Sequence, residues 1–288
     1  MTQRPSLDPR RHAFRADLAA QSLKGRVDAP RYVAGTPAQI ARPAVPLRKA
    51  PLASVALETE ALFGERVLVY DVADGWAWVQ LEGDGYVGYL PADALTREVG
   101  APTHRVKAIG TFLYASAEIK SPPLMHLSLN AQLSVAETVD RFYRLESGGY
   151  VIARHVAERD WRDRDFVEVA ERMLGTPYLW GGRTRVGLDC SALVQLALNA
   201  CGIPAPRDSD MQRDELGSPV DVPADLEGLQ RGDLVFWPGH VGIMGDGVML
   251  LHANAHHMAV AIEPLPEAAA RIKGTGSEIV AVRRMAGA

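Results

Sequence analysis

Cysteine is nearly absent from this chain. Two thiols in 288 residues make a disulfide framework implausible and suit a reducing compartment, where a reactive thiol survives. An excess of charge is lacking too: 31 Lys and Arg against 35 Asp and Glu leave a formal net charge of -4, which offers no general attraction to nucleic acid or to an anionic membrane. No apolar run is long enough to cross a bilayer, and the basic start Met1–Arg11 has no apolar block of signal-peptide length behind it. These absences lead us to expect a cytoplasmic protein. With 47% hydrophobic and 23% charged residues, the composition is that of a globular chain of two or three domains.

What is present is a cysteine in an informative place. In Leu188-Asp189-Cys190-Ser191-Ala192-Leu193-Val194 the thiol stands where a turn-rich stretch gives way to an apolar run, Ser191 to Cys201, stopped by Gly202 and Pro204. The pattern predicts a helix with Cys190 in its first turn. Unpaired N–H groups and the helix dipole favour an anion there, so the thiol pKa is expected to fall, and the same N–H groups could hold an oxyanion. A free cysteine is also commonly a small, inert, buried side chain. The preceding Thr176-Pro177-Tyr178-Leu179-Trp180-Gly181-Gly182-Arg183, rich in turn formers and aromatics, favours a cleft wall instead.

A base for this thiol is offered downstream. Val241 to Met244 and Val248 to Leu251 are apolar runs separated by Gly245-Asp246-Gly247, a hairpin signal. If Met244 and Val248 close that turn, His240 faces His252 across the ladder, close enough for one imidazole to orient the other. Nucleophile, base and orienting group would then be complete. A metal site built from His240, His252, His256, His257 and Asp246 lacks the close ligand spacing of zinc sites, so no metal is expected. Cys201 lies about 16 Å along the helix from Cys190 by helical rise, too far for a disulfide.

Residues 1–45 read as a partly extended lead-in. From 46 onward, short strands such as Arg66–Tyr70, Trp76–Leu81 and Tyr86–Leu90 are broken by Asp74-Gly75 and Gly83-Asp84-Gly85, which suggests a small barrel. At an offset of 64, Leu81-Glu82, Gly85, Tyr86 and Val87 recur as Leu145-Glu146, Gly149, Tyr150 and Val151, which argues for a second copy. The expected domains are 46–100, 101–158 and a C-terminal unit, 159–288.

Five blocks in order, Gly175–Gly182, Leu188–Ser191, Arg207-Asp208-Ser209-Asp210-Met211-Gln212, Gly232–Trp237 and His240–Ile243, resemble the NlpC-type murein peptidases. The resemblance implies an α+β papain-like catalytic domain that uses a Cys-His pair plus a third polar residue. Residue by residue, it implies Cys190 as nucleophile, His240 as base and His252 as orienting residue, with Tyr178 beside the nucleophile helping the oxyanion site. Ala192 departs from the glycine of many relatives. The two N-terminal units resemble bacterial SH3-like domains, the first more clearly, through Asp74-Gly75-Trp76 and Asp84–Tyr89.

Relatives that join such domains to an NlpC-type unit act in the cytoplasm on murein peptides, cutting after L-alanyl-γ-D-glutamate and capturing the free amine of L-alanine. Here Tyr86, Asp189, Ser191 and Ser209 match positions used that way, and Glu60 is the expected acidic barrel residue, with Glu58 and Glu65 as competitors. Asp189 also fits a simple helix N-cap, and Ser209 a turn former. The implied partner is a murein peptide, with no nucleic acid, membrane or cofactor. Two other readings stay open: an extracellular endopeptidase acting on intact wall, and a vestigial wall-binding protein or thiol acyltransferase.

Overall fold

The computed structural model describes residues 7–222 and 225–285, so the first six residues of the expected lead-in lie outside it. The described chain falls into two compact units. One gathers the chain up to Arg105 with 112–127 and 131–154; the other gathers His155 onward with 106–111 and 128–130.

The first unit is all-β. Its main sheet runs Leu95–Thr96, Thr36–Ile40, Arg66–Ala73, Trp76–Leu81, Val87–Pro91, Ala44–Arg48, Leu57–Leu62 in spatial order. It therefore starts at Thr36, upstream of the boundary at 46 read from composition. The strand Trp76–Leu81 shows why the sheet is buried on both faces: Ala77, Val79 and Leu81 point into the barrel core with Val67 and Leu90, whereas Trp78 meets Ala13, Leu18, Ala20 and Leu23 on the other side. Alternate residues of a strand face opposite ways, and both sets here are apolar. The lead-in is thus extended but firmly packed. Arg15 anchors it, with its guanidinium 4.6 Å above the Trp78 ring, hydrogen-bonded to Tyr89 Oη and ion-paired to Asp71 and Asp17. The echo at offset 64 falls on equivalent hairpins. Gly85 and Gly149 both take left-handed backbone, at φ 79° and 80°. Each hairpin runs on into a 3-10 turn, Ala92–Ala94 or Ala153–His155, and a short strand.

The second unit is α+β. Helix α1 (Phe166–Glu171) is capped by Asp165; α2 (Cys190–Ala200), α3 (Ser209–Glu215) and α4 (Leu265–Lys273) follow. An antiparallel sheet runs Ser218–Val220, Ala281–Arg284, Leu234–Trp237, His240–Met244, Met249–Asn254, Ala259–Pro264. All of α2 is buried except Asn199, which is half-buried, so it is covered around its whole circumference and serves as the core helix. It packs on the strands His240–Met244 and Met249–Asn254. Burying Leu193, Val194, Leu196 and Leu198 is worth about 1.5–3 kcal/mol each, and Gly202, at φ 76°, ends the helix where the sequence placed the stop.

The hairpin register differs from the expected one. Ile243 pairs with Leu251 and Met244 with Leu250, so Val248 belongs to the turn rather than closing it. The reason lies in Asp246, whose Oδ1 accepts both Val248 N and Met249 N, while Gly245 N donates to Met249 O. The slip is two residues. Because side chains alternate with period two, both histidines keep the same face and become diagonal rather than direct neighbours.

Candidate active site

The start of α2 is fixed before any chemistry is considered. Asp189 takes extended backbone and its Oδ1 caps Ala192 N at 2.8 Å, which places Cys190 in the first turn. The loop ahead of it is pinned to the sheet: Leu179 N donates to Leu188 O, Leu188 N to Pro177 O, and Tyr178 N to Met258 O. Gly182 makes this possible, since a Cβ there would stand 2.5 Å from Gly187 O. Tyr178 is thereby held near Cys190 and Asp189, and burial, followed by the charges of those two residues, pushes its phenol up to about 12. It stays protonated and can donate a hydrogen bond.

Cys190 is 7% exposed. Its sulfur is not surrounded by hydrocarbon alone, for the backbone amides of Val241 and Ser191 and the charge of Arg207 favour the thiolate against burial. Helix α2, with Cys190 in its first turn, packs on the strand that begins at His240. His240 Nε2 lies 2.9 Å from His252 Nδ1. Gly242, directly opposite His252 in the observed register, leaves the space for this contact: a Cβ there would meet Leu250 Cδ1 at 2.6 Å and His252 Cβ at 3.3 Å. His252 is fully buried, and its Nε2 lies 2.7 Å from Glu263 Oε1; Arg271 in turn holds both oxygens of Glu263 at 2.5 and 2.6 Å.

The electrostatics correct one expectation. The thiol pKa does not fall: burial, and after it the charge of Asp189, push it up to about 12, against the backbone N–H groups and Arg207, which act the other way. Burial, then His252 and Arg271, hold His240 down at about 3. Desolvation outweighs the helix start here. Thiol and imidazoles are therefore neutral near pH 7.

Asp189 and Ser191 are held by a charged network. Arg207, 1% exposed, donates to Asp189 Oδ1 and Oδ2 at 2.9 and 2.7 Å and to Ser191 Oγ at 2.8 Å. Gly181 N and Ser191 Oγ also donate to the same carboxylate. Gln212 bridges Ser191 O and Pro206 O, so Arg207 and Gln212, from one block of sequence, both hold Ser191. Ser209, half-buried, opens α3. In the barrel, Tyr86 sits in the apolar core and lines a groove of about 230 Å³ with Glu58, Lys49 and Trp78. Glu60 lies on the same strand as Glu58, opposite Pro46, and is not among the residues lining that groove. Glu65 accepts Leu62 N in a turn.

Among the described residues, His252, His257 and Glu263 bring three donor atoms within 4.8 Å of one another. A cation there would have to displace the Arg271 guanidinium from Glu263, an unfavourable exchange of one positive charge for another.

Residues 175–273 match the NlpC/P60 family and residues 47–95 the bacterial dipeptidyl-peptidase Sh3 domain. The gamma-D-glutamyl-L-lysine dipeptidyl-peptidase of Bacillus cereus is 30% identical over 242 residues, covering 73% of this chain and 71% of the relative. The chain belongs to the NlpC/P60 family. A relative of the same name from Bacillus subtilis is 27% identical over 256 residues, 79% of this chain and 81% of its own. The solved structure of an NlpC/P60 family protein from Bacillus cereus superposes with a TM-score of 0.71 at 24% identity, over 86% of this chain and 99% of that one, and so shares the fold.

Three charged residues that hold these networks together, Arg207, Glu263 and Arg271, have no role in the sequence reading. Arg207 lies in the block Arg207–Gln212, and its position two residues before Ser209 is the available signal. Glu263 carried a misleading one. In Ala259–Pro264 it is Ile262 that is 41% exposed, while Glu263 is buried, the reverse of what hydropathy alone would place.

Proposed function

We propose that this protein is a cysteine peptidase that hydrolyses the γ-D-glutamyl–L-diamino-acid bond of murein stem peptides bearing a free N-terminal L-alanine, releasing L-alanyl-γ-D-glutamate. The observation that carries the reading is His240 Nε2 engaged by His252 Nδ1 at 2.9 Å on the strand that packs against α2, the helix with Cys190 in its first turn, since this leaves Nδ1 of His240 to serve the thiol. The substrate class follows from the relatives. Two free thiols, Cys190 and Cys201, suit a reducing cytoplasm as the place of reaction.

In the proposed cycle the Cys190 proton passes to His240 Nδ1 as the sulfur attacks the γ-glutamyl carbonyl carbon. The oxyanion is met by N–H groups at the helix start and by the Tyr178 phenol. The tetrahedral species collapses, His240 gives its proton to the departing amine of the diamino acid, and a thioester remains on Cys190. Water, losing a proton to His240, attacks that thioester; the dipeptide leaves and the thiol is restored. Within the catalytic unit, Ser209 is assigned to the substrate amine; within the barrel, Glu58 shares a groove with Tyr86 and Glu60 does not line it. Asp189 and Ser191, expected from the resemblance to bind that amine, are instead taken up by Arg207, Gly181 N and Ala192 N and hold the start of α2.

A synthetic tripeptide L-Ala-γ-D-Glu-L-diamino acid, offered with a free and with an acetylated amine, tests the reading. Cleavage of the free form alone, abolished in Cys190→Ala, is expected. Cleavage of both forms would point to an endopeptidase of intact wall, and turnover by Cys190→Ala would overturn the nucleophile.

A further inference from the structure

We propose that Glu263, clamped by Arg271, is a positioning residue that sets the tautomers of both active-site histidines, so that the His240 nitrogen left for Cys190 is the unprotonated one. The inference deepens the peptidase reading and rests on it for its catalytic consequence, though not for its geometry.

The hydrogen bonds allow little choice. Glu263 accepts both Arg271 nitrogens and His252 Nε2. Burial alone would raise its pKa, but the Arg271 and His252 hydrogen bonds bring it down to about 2, so it is a carboxylate and can only accept. His252 Nε2 must then carry the hydrogen. His252 is buried, and burial keeps it neutral, so its Nδ1 is bare. The 2.9 Å contact between His252 Nδ1 and His240 Nε2 therefore needs a hydrogen on His240 Nε2. A neutral imidazole has only one. Nδ1 of His240 is left as a lone pair, the form a general base for a thiol requires.

Arg271 has its own part. It reaches Glu263 from α4, the helix that starts directly after the strand Ala259–Pro264, and it occupies both carboxylate oxygens. The remaining acceptor position on Oε1 points to His252. His257 is the other titratable neighbour; its Nδ1 is 3.9 Å from Glu263 Oε1 and is hydrogen-bonded to Asn254 Oδ1 at 3.0 Å, so it competes poorly. A carboxylate that only tied the helix to the sheet would leave the imidazole hydrogens indifferent to its removal.

The test is nitrogen NMR of the histidine rings in the full-length Cys190→Ala protein at neutral pH, where the thiol cannot influence His240. Both His240 and His252 are expected as the Nε2–H tautomer. Glu263→Met should redistribute both toward Nδ1–H, while Glu263→Gln, whose amide oxygen can still accept from His252, should hold the original tautomers. Finding His240 as Nδ1–H in the Cys190→Ala protein overturns the proposal whether or not Glu263→Met folds, as does a folded Glu263→Met whose rings are unchanged. With Cys190 restored, Glu263→Met should lower kcat about tenfold to hundredfold with KM unchanged. If the tautomers behave as stated but no form cuts the tripeptide, the relay stands and the substrate assignment fails. Cleavage with tautomers independent of Glu263 means the opposite.

Discussion

Among the carboxylate–guanidinium pairs of the catalytic unit, Asp189–Arg207 at the start of α2 and Glu263–Arg271 behind His252 differ in what they leave open. Asp189 receives five hydrogen-bond donors: Gly181 N, Ala192 N, Ser191 Oγ and two nitrogens of Arg207. A carboxylate has about four lone-pair sites, so nothing is spare. Glu263 receives three, and one of them is an imidazole that faces the site. The Arg207 side chain is 1% exposed, that of Arg271 27%. A saturated, sealed pair builds the helix start that carries Cys190. An unsaturated pair at the margin can pass its charge on to a neighbour.

The comparison breaks most readily at Arg207. Arg207→Met leaves Asp189 as a buried, uncompensated charge and should cost about 3–5 kcal/mol of stability, read from urea denaturation. Combining it with Asp189→Asn should recover part of the loss, because the stranded charge is then gone. A loss under about 1 kcal/mol would mean that the pair is not the foundation its burial indicates.

Gly242→Ala separates the relay from the helix start. Its Cβ would press on Leu250 Cδ1 at 2.6 Å and crowd His252, so it should cost about 1–3 kcal/mol and slow turnover by parting the two imidazoles, while the Asp189 network is untouched. Thermal unfolding together with tripeptide hydrolysis checks both halves.

The unequal legibility of the two pairs has a physical cause. Helix α2 and the facing histidines were readable because they rest on local pattern: an apolar run with stop signals, and two strands around a Gly-Asp-Gly turn. Even the register error did no harm, since a slip of two preserves the face. Arg207 and Glu263 depend on contacts made across the fold. A buried arginine looks in sequence like any solvated one, and Glu263 stands on a strand where the isoleucine beside it faces outward. The fall expected for the thiol pKa failed for a related reason: the helix start is visible in sequence, but the depth of burial that outweighs it is not.

Acid should reveal the relay from the stability side. His240 and His252 are both held neutral, with pKa values below the ordinary 6.5 because burial penalises their charged forms. In the unfolded chain they take up protons near 6.5, so as pH falls below that value the unfolded state binds more protons and stability drops. Each histidine contributes a slope of at most about 1.4 kcal/mol per pH unit. His240→Gln should flatten the decline between pH 7 and 5; an unchanged slope would mean that His240 is already charged in the fold.

Arg271→Met should give the smallest change in stability, and that smallness sharpens the contrast. Its side chain reaches solvent, so water can replace part of what the guanidinium supplies to Glu263, and the cost should stay within about 1 kcal/mol. Function should respond more than stability does. Without Arg271 the carboxylate keeps His252 as its remaining side-chain donor at hydrogen-bond distance and becomes easier to protonate, since the guanidinium that holds its pKa down is gone. A protonated Glu263 could donate to His252 Nε2 and reverse the order of hydrogens along the relay. Activity in the variant should therefore fall at a higher pH than in the parent as the solution is acidified, while denaturation midpoints at neutral pH barely move. If instead Arg271→Met unfolds the protein as readily as Arg207→Met, both pairs are structural supports of one kind.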